Sequence, residues 1–350
     1  CSVTVSLMVL EGLLCPSAIC PDGVENFKWD RSLPFAHWYY PVTAAIAYWV
    51  VILGVKKIMS YQKTGFELKP LLAIHNLLLS VGSLYILINT IESLYNQYQE
   101  YRLEGLICHL DVYQGSTWFW SYVFYLTKYY ELIDTLFLVL RKKPLTKLHT
   151  IHHTVVLLMF WTYMDFGLPN QWIQSINNLA VHVFMYYYFS YMALPRWMQK
   201  FLPSVWWRRY LTQMQIIQFF ADFILTFINL AIFDSCYDRF IETLASDVYI
   251  LTAVIFCNAV GIMFIFMFTN FYIQTYLRGG KGGKKGGKEG GEKKKEKATK
   301  AAANEGEKTA AKKGTGRSSA AAASTPVQSS NGTTDSAGTR TRRRAARKDN

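Results

Sequence analysis

Apolar residues fall into long blocks along this chain, and the charged residues gather between the blocks and at the C-terminal end. A helix rises about 1.5 Å per residue, so a hydrocarbon core about 30 Å thick asks for about 20 mostly apolar residues. Blocks of that kind cover roughly 37–55, 70–91, 117–140, 150–166, 172–194, 212–233 and 248–276. The pattern predicts an all-α integral membrane protein with seven transmembrane helices, because a helix satisfies its own backbone hydrogen bonds in lipid. A further apolar run, Val3–Leu14, is too short to span and reads as a signal-like or amphipathic entry piece. The chain starts at Cys1 rather than at an initiator methionine, so the true N-terminus is expected upstream.

Charge in the loops orients the helices. Lys56, Lys57, Lys63 and Lys69 follow the first span, Arg141, Lys142, Lys143 and Lys147 the third, and Arg196, Lys200, Arg208 and Arg209 the fifth. The intervening loops carry Glu92, Glu100, Glu104 and Asp111 with Arg102, then Asp165, then Asp234, Asp238, Glu242 and Asp247 with Arg239. The excess of Lys and Arg in alternate loops predicts a lumenal N-terminus and a cytosolic C-terminus, which an odd number of spans requires. Cys108 and Cys236 then fall in two non-cytosolic loops, where a disulfide between them is expected, two unpaired thiols being the alternative.

The formal net charge of +13 resembles that of a nucleic-acid binder. Much of it, however, lies in the basic loops and in residues 279–350, a stretch of Gly-Gly-Lys repeats, Lys/Glu runs and Ala, Ser and Thr. Such a composition cannot bury a core and predicts a disordered cytosolic tail. Its end, Arg347-Lys348-Asp349-Asn350, is similar to dilysine retrieval signals; a basic tail brushing anionic lipid is the other reading. The expected organisation is a lumenal N-terminal segment over 1–35, a seven-helix domain over 36–278 and the tail, with the lipid bilayer rather than nucleic acid as partner. The six cysteines form no C-x-x-C pair, which argues against a structural zinc site.

Ionisable residues inside apolar spans are expensive and need a reason. In the third span, Lys128, Glu131 and Asp134 recur at i, i+3 and i+6 with Thr135 beside them, a polar stripe on one helical face; a Lys–Glu pair that merely locks spans together is the plainer reading. His149, His152 and His153, at i, i+3 and i+4 just past the basic run Arg141–Lys143, place three imidazoles on one face of the fourth span. Asn178 and His182 are stacked at i, i+4 in the fifth span, and Gln215 and Gln218 add neutral donors at the start of the sixth. With the orientation set by the loops, these groups lie at a shared depth in the cytosolic half. They imply a chamber open to the cytosol and apolar towards the lumen. It suits an amphipathic substrate, with Arg141, Lys142, Lys143, Arg208 and Arg209 holding phosphates at the mouth.

The segments Lys128-Tyr-Tyr-Glu131-Leu-Ile-Asp134-Thr135, His149-Thr-Ile-His152-His153, Asn178-Leu-Ala-Val-His182-Val-Phe-Met185-Tyr186-Tyr-Tyr188 and Thr212-Gln-Met-Gln215-Ile-Ile-Gln218-Phe219 resemble the four signature motifs of the ELO family of very-long-chain fatty-acid elongases, in the family's order and spacing over roughly 35–278. The resemblance implies a 3-oxoacyl-CoA synthase of the endoplasmic-reticulum membrane, which condenses a long-chain acyl-CoA with malonyl-CoA and releases carbon dioxide and CoA. It also makes self-association, or contact with the other enzymes of the elongation cycle, reasonable. Lys142-Lys143-Pro144-Leu145-Thr146 is similar to members acting on saturated and monounsaturated chains, whereas Lys147 stands where many relatives carry an aromatic residue.

Condensation needs a positioned acyl group, stabilisation of an enolate and a dry site. Cys257 is the only cysteine in a span and belongs to no motif, so an imidazole is expected to serve as nucleophile. The expectation is that His152 is acylated, with His149 and His153 orienting or deprotonating it and His182 moving a proton or holding the second substrate. Asn178, Gln215 and Gln218 would donate to the oxyanion or enolate, and Lys128, Glu131 and Asp134 would fix the box. Direct condensation with the histidines as bases is the alternative. No metal or cofactor is expected beyond the two CoA co-substrates: a di-iron desaturase needs about eight histidines in several boxes, whereas this chain has 7, of which His37, His75 and His109 read as isolated. A non-enzymatic seven-helix receptor or transporter would have no need of three imidazoles beside a basic mouth.

Overall fold

The computed structural model describes residues 23–108, 114–168, 171–232, 241 and 247–278, without the side chains of 107–108 and 226–232. All regular structure among the described residues is helical. The helices are α1 (Tyr39–Ser60), α2 (Lys69–Cys108), α3 (Ser116–Glu131), α4 (Ile133–Leu140), α5 (Lys147–Asp165), α6 (Gln171–Ala193), the single turn α7 (Arg196–Gln199), α8 (Leu211–Ile232) and α9 (Val248–Tyr272). The expected disulfide and the C-terminal tail fall outside the described residues, since Cys236 and residues 279–350 are not among them.

Local chemistry sets the helix ends. Thr146 caps α5 by accepting the His149 backbone N–H, and Asp247 caps α9 by accepting those of Tyr249 and Ile250. Gly115 precedes α3 at φ 73°, and a Cβ there would meet the Glu25 carbonyl oxygen at 2.6 Å, so the position requires glycine. Two boundaries differ from the hydropathy reading. The helix expected over 70–91 continues to Cys108, so Glu92, Glu100 and Glu104 lie on helix rather than in a loop, with the backbone breaking helical geometry at Arg102. A few charges do not end a helix whose backbone bonds are intact; they only move its surface out of an apolar setting. The expected single helix over 117–140 is two, α3 and α4, joined at Leu132, whose N–H bonds three residues back to Tyr129.

Helices α3, α2, α6, α8, α9 and α5 form a closed ring, each packing on the next, and α1 leans on α4 and α5 from outside. Small hydroxyls tie α2 to α6, with Ser80 Oγ donating to the Val183 carbonyl and Ser190 Oγ to that of Ala73, each at 2.9 Å. The interior is aromatic: Trp118, Phe119, Trp120, Tyr122, Phe124, Tyr125, Phe160 and Phe264 are all buried. The outer faces of α1, α2 and α9 expose Ile46, Val50, Leu71, Leu78, Ile255 and Phe266 instead. Among the described residues, three helical stretches, Tyr39–Ser60, Lys69–Leu106 and Val248–Leu277, are long and apolar enough to cross a membrane on their own composition. The inner helices α5 and α6 carry the His and Asn residues of the candidate site, which dilute their hydropathy.

One end of the ring is strapped by residues 23–38. Phe27, Leu33 and Ala36 are buried in the core, and Tyr122 and Tyr125 donate to the carbonyls of Pro34 and Phe35. Arg31 forms a two-pronged ion pair with Asp165 (2.8 and 3.1 Å), whose hydrogen bond and charge hold the guanidinium above its ordinary pKa.

Candidate active site

The opposite end, where α4 stops and α5 starts, carries the polar residues. Lys128 Nζ lies 2.9 Å from Glu131 Oε1 and 3.0 Å from Asn178 Oδ1, with the Phe124 ring centroid 4.0 Å away. Lys128 and Glu131 are each only 2% exposed, so the pair exists by mutual compensation: an isolated charge there would carry the full desolvation cost. Because Lys128 occupies Asn178 Oδ1, the Asn178 NH2 group faces away from the lysine, as a donor. His182 Nδ1 stands 3.5 Å from Glu131 Oε1 without hydrogen-bond geometry, so that contact is electrostatic.

Asp134 binds a second set of groups. His75 Nε2 is 2.6 Å from Oδ1, Tyr186 donates to Oδ2 at 2.7 Å, and His153 Nε2 is 3.9 Å from Oδ2. His75 is therefore not isolated, as its position outside every motif had implied: α2 packs directly against α6 and α3, which brings it to the stripe. Thr135 bridges two more elements, 2.9 Å from both Tyr48 Oη and His149 Nε2.

The histidine box does not present one uniform face. His149 and His153, one turn apart, pack at 4.5 Å between centroids towards Thr135 and Asp134. His152 turns the other way, onto Phe264 (4.9 Å) and Phe268 (5.9 Å) of α9, and its Nδ1 is buried with no hydrogen-bond partner. Helical steps of 100° fan residues i, i+3 and i+4 over about 100°, enough to divide them between different neighbours.

The structure brings Lys128, Glu131, Asp134, Asn178, His149, His153 and His182 together. It sets the two glutamines differently: Gln215 Nε2 contacts Met185 Sδ at 3.4 Å, and Gln218 pairs with Asp222. Asp222 also accepts from Asn177 Nδ2 at 2.5 Å, so α6 divides two clusters, with Asn178 facing α3 and its neighbour Asn177 facing α8. Sequence reasoning passed over His75, Tyr48, Tyr130 and Asp222. An acid or imidazole within an apolar span was the available signal for His75 and Asp222. Cys257 is a buried free thiol within the core.

The basic run Arg141–Lys143 ends α4 in a Schellman motif. Lys143 N–H bonds to the Leu138 carbonyl and Lys142 N–H to that of Val139, and Lys142 takes the left-handed conformation (φ 53°) that glycine usually fills. The loop after α1 is fastened to it: Phe66 N–H donates to the Leu140 carbonyl at 3.0 Å, Lys142 Nζ to that of Gln62, and Gly65 sits so near the Arg141 backbone that a Cβ would meet it at 2.5 Å. Two of the three basic segments thus form one rim, with His149 in the first turn of α5 and His152 and His153 in the second. Arg208 and Arg209 lie exposed on the 3-10 turn Trp206–Tyr210, where Arg209 stacks on Tyr210.

Residues 33–284 match the model of a protein family described as "ELO: GNS1/SUR4 family". Among relatives, the chain is 32% identical over 255 residues to a protein of Dictyostelium discoideum called fatty acid elongase sre1, covering 72% of this chain and 89% of that one. It is 32% identical over 200 residues to fatty acid elongase A of the same organism, covering 57% and 70%. With very long chain fatty acid elongase 4 of Homo sapiens the identity is 27% over 269 residues, covering 73% and 80%.

Proposed function

The chain belongs to the ELO (GNS1/SUR4) family of fatty-acid elongases, and on that premise we propose that it catalyses the condensing step: acyl-CoA and malonyl-CoA give 3-oxoacyl-CoA, carbon dioxide and CoA. The observation that carries this reading is the division within the box. His149 and His153 are engaged by Thr135 and Asp134, while His152 lies against phenylalanines with Nδ1 unpartnered, an imidazole not tied to a hydroxyl or a carboxylate.

In the first half-reaction an imidazole nitrogen of His152 attacks the thioester carbonyl, the carbon–sulfur bond breaks, and the CoA thiolate leaves. The proton shed by the acylated ring passes through His153 to the thiolate. Malonyl-CoA then loses carbon dioxide, and the enolate carbon attacks the acyl-imidazole and expels His152, which takes back a proton. One proton is consumed per turnover. In this reading the Asn178 NH2 group, left free as a donor because Lys128 takes Asn178 Oδ1, hydrogen-bonds the enolate oxygen, and a preorganised donor of that kind is worth about 3–4 kcal/mol in the transition state. Gln215 and Gln218 are assigned as further donors to the oxyanion or enolate, a role for which each must leave its present contact with Met185 or Asp222.

The same proposal includes seven spans in the endoplasmic-reticulum membrane with a cytosolic C-terminus, a rim of Arg141, Lys142, Lys143, Arg208 and Arg209 that binds CoA phosphates, a preference for saturated or monounsaturated chains, and association with itself or the other enzymes of the cycle. A Cys108–Cys236 bridge belongs to it as well. The test is malonyl-CoA-dependent elongation by microsomes bearing the chain, with acyl-CoAs of graded length and unsaturation. Two-carbon extension, absent in His152→Ala at equal membrane insertion, is expected; wild-type microsomes that extend no acyl-CoA, or a fully active variant, would contradict it.

A further inference from the structure

We propose that His75, on α2 and outside all four motifs, is a positioning residue for this reaction: it fixes the Asp134 carboxylate against His153. The inference rests on the condensing function and deepens it. Its geometry is specific. A carboxylate oxygen can only accept, so the 2.6 Å contact makes His75 Nε2 the protonated nitrogen, and Nδ1, 3.1 Å from Tyr130 Oη, accepts the tyrosine O–H in the neutral ring. The ring is 4% exposed and wedged between Tyr130 and Phe137, each 5.0 Å away between centroids. Tyr130 thereby sets the tautomer and the aromatic rings set the tilt.

Asp134 is consequently held at both oxygens, by His75 on Oδ1 and by Tyr186 on Oδ2, and Oδ2 is also the oxygen facing His153 Nε2 at 3.9 Å. With Tyr186 alone the carboxylate could pivot about that one bond; with His75 it cannot. When His153 takes the proton released by acylation, a fixed anion beside it stabilises the imidazolium, an attraction that weakens as the separation grows. His75 touches neither substrate nor a reacting atom in this scheme and acts only through Asp134.

The test uses full-length protein in microsomes. His75→Phe is expected to lower kcat about 10- to 100-fold while the KM values for both CoA substrates stay within about twofold. His75→Gln, whose amide nitrogen reaches the place of Nε2, restores most of the rate; His75→Asn, which reaches only the place of Nδ1, does not. Asp134→Asn combined with His75→Phe loses no more than Asp134→Asn alone, because residues acting as one unit are not additive. Wild-type kcat in His75→Phe, losses that multiply in the double variant, or Gln no better than Asn at equal abundance and thermal stability would each overturn the role. If His75→Phe fails to insert, the Gln–Asn contrast, which changes reach and not burial, decides the matter by itself. Failure of the acyl-imidazole route shows elsewhere, as residual elongation in His152→Ala, and leaves the His75–Asp134 coupling measurable.

Discussion

Two sides of one helix, α5, carry the same side chain in opposite settings. His149 and His153 look into a network of carboxylate and hydroxyl groups built by α1, α2, α4 and α6. His152, a single residue away, looks onto Phe264 and Phe268. An imidazole surrounded by acceptors is suited to gaining and passing protons, whereas one among aromatic rings keeps its lone pair for another bond and excludes the water that would hydrolyse an acyl adduct. The difference lies in which helix each ring meets, and not in the residues themselves.

The sharpest way to break this contrast is to delete each imidazole separately. His152→Ala should cost at least about a thousandfold in elongation rate, and His149→Ala about 10- to 100-fold, because a missing nucleophile cannot be replaced while a lost positioning bond can be partly made good. Equal losses from the two, measured as initial rates of malonyl-CoA-dependent elongation, would mean the two sides are equivalent. Next in size is the charge pair behind the polar side. Lys128→Met strands Glu131 and should lower stability by about 3–5 kcal/mol, and adding Glu131→Gln should recover most of it. Thermal denaturation in detergent reads both, and an unrecovered double variant would mean that Lys128 acts through packing instead.

Two smaller predictions concern the rim. Gly65→Ala pushes the loop after α1 off the Arg141 backbone and should raise the KM for acyl-CoA about tenfold, with kcat little changed if the rim binds substrate and does no chemistry. Lys142→Gly removes a residue from a left-handed position that costs about 1 kcal/mol for a side chain to occupy, yet takes away a cation. It should therefore raise thermal stability slightly and raise the same KM by a few fold; a stabilised variant with unchanged KM would separate Lys142 from CoA binding.

The helices were legible because lipid demands long apolar blocks, and the seven blocks read from hydropathy correspond to described helices within a few residues at most ends. The long extension of α2 was not legible, since Glu92, Glu100 and Glu104 resemble a loop by composition although nothing in that stretch interrupts helical bonding before Arg102. Within the site, residues sharing one helix could be placed by periodicity alone: Lys128 with Glu131, and Asn178 with His182. Contacts between helices could not. His75 and Asp134 meet because α2 packs beside α3 and α6, and Asn177 meets Asp222 because α6 packs on α8. Periodicity gives a residue its face, but packing decides what that face meets.

The central claim, that His152 carries the acyl group, is tested most directly by incubating the purified protein with a long-chain acyl-CoA and no malonyl-CoA, digesting it, and locating any acyl mass by peptide mass spectrometry. The expected result is an acyl adduct on His152, discharged to 3-oxoacyl-CoA when malonyl-CoA is added. An adduct on His149, His153 or His182, or an unmodified box in protein that still elongates, would contradict it.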